Sequence, residues 1–363
     1  MYTSFEITNF RCFDHLKLDD LARVNLIAGK NNVGKTALLE ALYLHCKAYD
    51  PEISLRLESS RGIRLDFNQL SGTVWDALFY RMDNSQDIEL RGTEPKSGWR
   101  SLRLQVVRRP EEMGKLGFEL LEKDLSTGES VITATAPATQ IVLLKYEDEA
   151  GRSGKVHLSV DTRGEGRFTP MPPSPPFPTS FILSQGRSSS KENAERFKNL
   201  VVNGKREQFL ETLRLLEPRL RSLELLPMAG ETIIHGEIGA GRPMPLNYMG
   251  EGLNRLANMV MAIGDNENGV VLIDEIENGL HYSVMKDVWK AIGQAAREFN
   301  TQIFATTHSW ECLVAAHRAF TETNCYDDFK LHRLERRKTG EIRTVTYDQE
   351  TLEGSIEMGF EVR

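Results

Sequence analysis

The chain has 363 residues, 40% of them hydrophobic and 27% charged, which is enough apolar material for one large core or two lobes. A formal net charge of −7 argues against a surface that collects nucleic acid by bulk charge. No secretory leader opens the sequence, no run approaches the roughly 20 apolar residues of a membrane span, and the four cysteines form no C-x-x-C pair, so a cytoplasmic protein with reduced thiols is expected.

In chain order, "FEITNF" and "HLKLDDLARVNLIAG" alternate apolar and polar residues and predict two or three opening strands, the last ending at Gly29. Ala37, Leu38, Ala41, Leu42 and His45 have helical spacing, so a helix follows directly. Residues 100–168 read as mainly β, with turns at "STGES" and "EDEAGRSG", and interrupt the core. Within them "SLRLQVV" places Arg103 and Gln105 opposite Leu102, Leu104 and Val106. The basic strip Arg91, Lys96, Arg100, Arg103, Arg108 and Arg109 therefore reads as the wet face of a strand in preference to a DNA contact, and a second basic cluster stands at Arg333, Arg336, Arg337 and Lys338. Six prolines in "PMPPSPPFP", residues 170–178, predict an extended connector. Helical patterns fill 189–225, broken near Pro218. Strand 231–238, helix 252–263, strand 269–273, helix 283–298 and strand 301–306 then alternate, which predicts a mostly parallel sheet with helices packed on it. The expected division is 1–90 and 231–363 for the two parts of the core, 91–180 for the β-rich insertion and connector, and 181–230 for a short helical arm.

"GKNNVGKT", Gly29 to Thr36, fits G-x-x-x-x-G-K-[ST] between a strand and a helix. Gly29 and Gly34 permit backbone angles a β-carbon opposes, so the N–H groups around Asn31, Asn32, Val33 and Gly34, continuing into Lys35, Thr36 and Ala37, can face one concavity at the positive end of the helix. This predicts ATP binding, with Lys35 on the β- and γ-phosphates and the Thr36 hydroxyl on Mg²⁺. "GVVLIDEIENGLH", residues 269–281, is a four-residue apolar strand followed by Asp274, placed to hold the magnesium through water, and Glu275, placed to polarise the attacking water. "TQIFATTHS" adds a strand ending beside His308.

This order of motifs resembles that of ATP-binding-cassette ATPases, most of all the RecF, SMC and OLD-like branch. "ITNFRCF", "IDEIENGLH", "ATTHS" and the closing "EVR" carry the resemblance to the OLD-like ATPases of prokaryotic defence systems. It implies an α/β fold of ABC type with a mixed sheet, and Arg11 near the nucleotide. It also implies His308 as the switch residue that senses the γ-phosphate, and ATP sandwiched between two protomers. The signature loop that closes the sandwich in trans would be Gly250, Glu251 and Gly252 in "NYMGEGLNRLANM"; Gly250 stands where the family has a serine, so that hydroxyl is absent. "ENGL", 277–280, would cross the dimer interface, and Gln185 is the candidate for the glutamine that binds the metal. No D-x-D pair follows His308, so a nuclease in cis is not expected. A Mg²⁺-dependent ATPase that dimerises around ATP and gates a separate effector, such as a Toprim-like nuclease, in antiviral defence is the leading reading, without membrane attachment. The alternative is a RecF- or SMC-like repair ATPase that binds DNA directly.

Overall fold

The computed structural model describes residues 1–48, 50, 53, 54, 57, 75–107, 140–160, 166–169, 177–184 and 189–359. Expectations that fall on Gln185, on the turn at 126–130, on residues 170–176 of the connector and on "EVR" lie outside the described residues. Two compact units divide the chain. The first is Met1–Ser4, Leu18–Leu39 and Phe177–Arg363; the second is Phe5–Lys17 and Glu40–Pro176.

The opening strands are β1 (Ser4–Phe10), β2 (Phe13–Leu18) and β3 (Val24–Gly29), followed by α1 (Lys35–Cys46). The inserted stretch supplies β4 (Ile88–Glu94), β5 (Gly98–Val107), β6 (Gln140–Asp148), β7 (Ser153–Val160) and β8 (Gly166–Thr169). β1 and β2 join these in one seven-stranded sheet, order β2-β1-β4-β5-β6-β7-β8. Ile88, Leu90, Leu102, Leu104, Val142, Leu144, Val156 and Leu158 are buried on one face, as strand alternation requires. His45 of α1 is fully buried in this unit. Its Nε2 lies 3.0 Å from the carbonyl oxygen of Arg100, which makes Nε2 the protonated nitrogen of a neutral ring, and burial lowers its pKa to about 3.

The first unit continues with β9 (Thr179–Ile182), α2 (Ser190–Val202), α3 (Arg206–Arg214), β10 (Ser222–Met228), β11 (Glu231–Glu237) and β12 (Met244–Pro245). The helical reading of 189–225 stops short: α3 ends at Arg214, and 222–228 pair antiparallel with β11. Pro218 has no N–H to carry the helix on, and the β11 edge takes up the backbone groups of the segment beyond it. α2 and α3 bury Phe197, Leu200, Phe209, Leu210 and Leu213 in the main core. Ser189 caps α2 by accepting from the N–H of Glu192, an arrangement that contributes about 1 kcal/mol.

After these come α4 (Glu251–Asp265), β13 (Val270–Ile273), α5 (Met285–Glu298), β14 (Gln302–Thr306), α6 (Trp310–Glu322), β15 (Phe329–Arg336), β16 (Ile342–Tyr347) and α7 (Gln349–Glu357). The central sheet has the order β16-β15-β3-β14-β13-β9, parallel except for β16. β3, β13 and β14 are buried at every position, as strands covered on both faces must be, and this is why they read as continuous apolar runs. Trp289 of α5, Phe320 of α6 and Phe329 of β15 pack together, the two phenylalanines stacked with centroids 4.8 Å apart. Among the described residues no helix is long and apolar enough to cross a membrane. All four cysteines are free, and burial raises the Cys312 thiol to about 12.

Candidate functional site

Because the inner strands run parallel, their carboxyl ends share one edge, the place where open α/β sheets bind ligands. β3 ends there in the phosphate-loop sequence, β13 in Asp274 and Glu275, and β14 in Thr306, Thr307 and His308.

The loop after β3 is built for close backbone approach. Gly29 has φ 145°, and a β-carbon there would sit 2.7 Å from the Leu334 carbonyl oxygen and 2.9 Å from Val33 Cγ1. Asn32 (φ 60°) and Gly34 (φ 104°) also hold positive angles, the first of a kind asparagine tolerates. α1 closes its first turn with the N–H of Leu38 donating to Gly34 O at 2.9 Å, so the N–H groups of Lys35, Thr36 and Ala37 have no partner within the helix and remain for an anion. The Lys35 ammonium folds back over the loop, donating to Gly29 O at 2.7 Å and to Lys30 O at 3.1 Å. Burial lowers its pKa, while Glu277, Glu275 and Asp274 pull it upward. Arg336, from the basic cluster near the end of the sequence, donates to Asn32 O at 3.2 Å and braces the loop.

Asp274 is 5% exposed. Both its carboxylate oxygens lie 3.1 Å from Thr36 Oγ1, so residues 238 positions apart present a hydroxyl and a carboxylate at one point. Thr306 completes the arrangement by donating from Oγ1 to Asp274 Oδ1 at 2.7 Å and accepting from the N–H of Glu275 at 2.8 Å. Glu275 turns through φ 46°, a left-handed angle uncommon for this residue type, and the bond to Thr306 holds it there. Its side chain accepts from Asn278 Nδ2 at 2.7 Å. A hydroxyl and a carboxylate that converge beneath a ring of main-chain donors fit a hard divalent cation bound with a triphosphate.

His308 is half exposed; its N–H donates to Glu277 Oε1 at 2.9 Å and its Nδ1 lies 3.0 Å from the same oxygen. Gly250 (φ 112°) begins α4 without a side-chain cap, Glu251 is exposed, and a β-carbon at Gly252 would touch Leu280 at 3.6 Å, so the signature turn stands beside the "ENGL" loop. Arg11 belongs to the second unit, where its Nε donates to Glu40 at 3.0 Å and its Nη1 to Ala77 O at 2.9 Å. His281 caps the short turn after it and packs its ring at a tilt against Tyr282, centroids 4.3 Å apart.

Sequence reasoning missed Thr306, Asn278 and Arg255. Arg255, on α4, donates to Asp274 O at 3.3 Å, and burial lowers its pKa against the pull of Asp274, Glu251, Glu277 and Glu275. A threonine closing the strand that neighbours β13 was a legible signal; an arginine on a distant helix was not.

Fold and site together define a P-loop nucleoside triphosphatase of the ATP-binding-cassette type. The profile of the AAA ATPase domain family matches residues 1–89 and 176–313, and the chain belongs to that family. The stretch between the two matched segments contains β5 to β8. A Helicobacter pylori protein named "ATP/GTP phosphatase" is 26% identical over 361 residues, spanning 91% of each chain. An uncharacterized protein of Methanocaldococcus jannaschii is 38% identical over 90 residues, 25% of this chain and 40% of that one. Among solved structures, an Smc head bound to the C-winged helix domain of ScpA matches with a TM-score of 0.51 at 14% identity, covering 96% of this chain and 98% of the other, a likeness of fold.

Proposed function

We propose that the protein hydrolyses ATP with Mg²⁺ at the edge of the central sheet, closes as a dimer around the nucleotide, and uses that closure to gate a separate effector in antiviral defence. The observation that carries the chemistry is the meeting of Thr36 Oγ1 with both oxygens of Asp274. Thr36 and, through water, Asp274 would hold the magnesium ion, which would supply positive charge against the phosphate oxygens. Lys35 leaves its two loop carbonyls to bind the β- and γ-phosphates. Glu275 takes the proton of the attacking water on the carboxylate oxygen that Asn278 does not occupy. His308, anchored on Glu277, stands as the γ-phosphate sensor, and Gly250, Glu251 and Gly252 offer the amino end of α4 to the nucleotide of a second protomer.

The name of the Helicobacter pylori relative supports triphosphate hydrolysis and makes GTP a second nucleotide to assay. The spacing E-G-x-x-E does occur here, at Glu353 and Glu357 on α7, but no group of three or more His, Cys, Asp or Glu side chains converges as a metal site among the described residues. The separate nuclease effector is taken from the resemblance to the OLD-like ATPases.

The test is Glu275→Gln. Removing a general base costs about 10²- to 10⁴-fold in rate, so phosphate release should nearly stop while ATP still binds and dimers accumulate on size-exclusion chromatography with light scattering. Wild-type turnover in this variant would refute the role given to Glu275.

A further inference from the structure

The second unit has a chemistry of its own on the solvent side of its sheet. Strand pairing sets Arg103 directly opposite Lys145, and Lys145 directly opposite Lys155, so three cations stand in one row across β5, β6 and β7. Like charges directly opposite each other destabilise a sheet, and adjacent strands are only about 4.8 Å apart. Glu89 continues the row on β4 and pairs with Arg103 at 3.2 Å, and Asp87 stands 4.0 Å from the same guanidinium, so the cations without a carboxylate are on β6 and β7. Among the described residues neither Lys145 nor Lys155 has a carboxylate partner; Lys145 donates to the Gln105 amide at 3.1 Å instead. On the same face, displaced along the strands, the Arg91 guanidinium lies over the Trp99 ring, 4.5 Å from its centroid. These side chains line a trough of about 520 Å³, whose other acid is Glu147, giving four cations to two carboxylates in a chain of net charge −7.

A solvated face would cost least with alternating signs, and this one keeps a row of like charges beside a planar aromatic–guanidinium stack. The row matches a string of anions. The stack matches flat rings carried on that string, because a π-face layers on a base of any sequence. A duplex keeps its bases stacked inside and offers no ring to Trp99, and an acidic peptide would use the cations but not the stack. We infer that this sheet face binds single-stranded nucleic acid, with phosphates along Arg103, Lys145 and Lys155 and a base on the Arg91–Trp99 stack. None of these residues belongs to the nucleotide site.

Binding is tested on the full chain without ATP, by fluorescence anisotropy with labelled dT20 and rU20 over a range of salt. It should be visible at 50 mM salt, and the two probes decide between DNA and RNA. The logarithm of the binding constant should fall with log salt at a slope of about −2, the value for three phosphate contacts on a single strand. Lys145→Gln with Lys155→Gln should weaken binding at least tenfold and reduce the slope by about 1.4. Trp99→Ala should weaken it about fivefold or more with the slope unchanged. Lys145→Glu checks folding independently: it breaks the like-charge row and should melt at the same or a higher temperature. Absence of binding at 50 mM salt, folded variants that bind like the wild type, or displacement by a 20-residue poly-glutamate or a 20-base-pair duplex as effective as by unlabelled dT20 or rU20 would each overturn the inference.

Discussion

Asn278 holds Glu275: its Nδ2 donates to Glu275 Oε2 at 2.7 Å, three residues along the loop that follows β13. A carboxylate fixed through one oxygen keeps the other aimed, and a hydrogen bond to a charged group contributes about 1.5–3 kcal/mol. Asn278→Ala should lower kcat about tenfold or more and leave the KM for ATP nearly unchanged. Asn278→Asp, which sets two carboxylates together, should be worse. Steady-state phosphate release checks both, and a change confined to KM would argue that Asn278 acts on binding instead.

Thr306 ties the carboxylate of Asp274 and the main chain of Glu275 to one strand end. Thr306→Val keeps the volume but takes one donor from Asp274 Oδ1, which keeps Thr36, and removes the side-chain acceptor of the Glu275 N–H. The expected loss is about 1–3 kcal/mol of stability, together with ATPase activity. Thr306→Ser should retain most of both. Urea unfolding of the three proteins side by side measures the first, and turnover the second.

Gly29→Ala should fail at the phosphate loop. The added carbon meets the Leu334 carbonyl oxygen at 2.7 Å, at a backbone angle of φ 145° that side chains rarely adopt. Neither obstacle is the far end of a flexible side chain, so the loop must shift. Nucleotide affinity, followed with a fluorescent ATP analogue, should fall more than tenfold, and the melting temperature should drop. Gly204→Ala, where no atom lies within 4 Å of the new carbon, serves as the control for a positive-φ glycine away from the site.

Two buried histidines set an acid limit. Burial takes His45 down to about 3, with the nearby Arg100 charge acting in the same direction, and takes His332 down to about 4, from the ordinary 6.5. The unfolded chain therefore binds more protons than the folded one below about pH 6.5, and stability rises with pH through that window. It is complete above 6.5 and is lost as the pH falls toward 4. Every tenfold weakening of proton binding in the folded state corresponds to roughly 1.4 kcal/mol. Chemical denaturation at a series of pH values from 7.5 to 4.5 should show this slope, and His332→Gln should reduce it by up to one proton. An unchanged slope in that variant would mean that His332 is not the group titrating.

The strand–loop–helix around Gly29 to Thr36 and the strand ending at Asp274 were legible in the sequence, because both depend on local rules. A glycine-bracketed loop between an apolar run and a helix has few other uses, and a fully buried parallel strand shows itself as "VVLI" with no alternation. It misled at 222–225, where leucine-rich spacing suited a helix and the pairing edge of β11 decided for a strand. Local preference is weak there, and the partner lies outside any short window.

From its sequence alone this protein was bound to hold a glycine-bracketed loop between strand and helix and a carboxylate pair at a strand end, since covalent neighbours fix φ, spacing and apolar runs. Tertiary structure alone decided that Thr306 would grip Asp274 and Glu275, that Arg255 would reach the same strand, and that Arg103, Lys145 and Lys155 would stand in a row. Those contacts join residues far apart in the chain, and only strand register, which no local interaction sets, brings them within hydrogen-bonding or Coulombic reach.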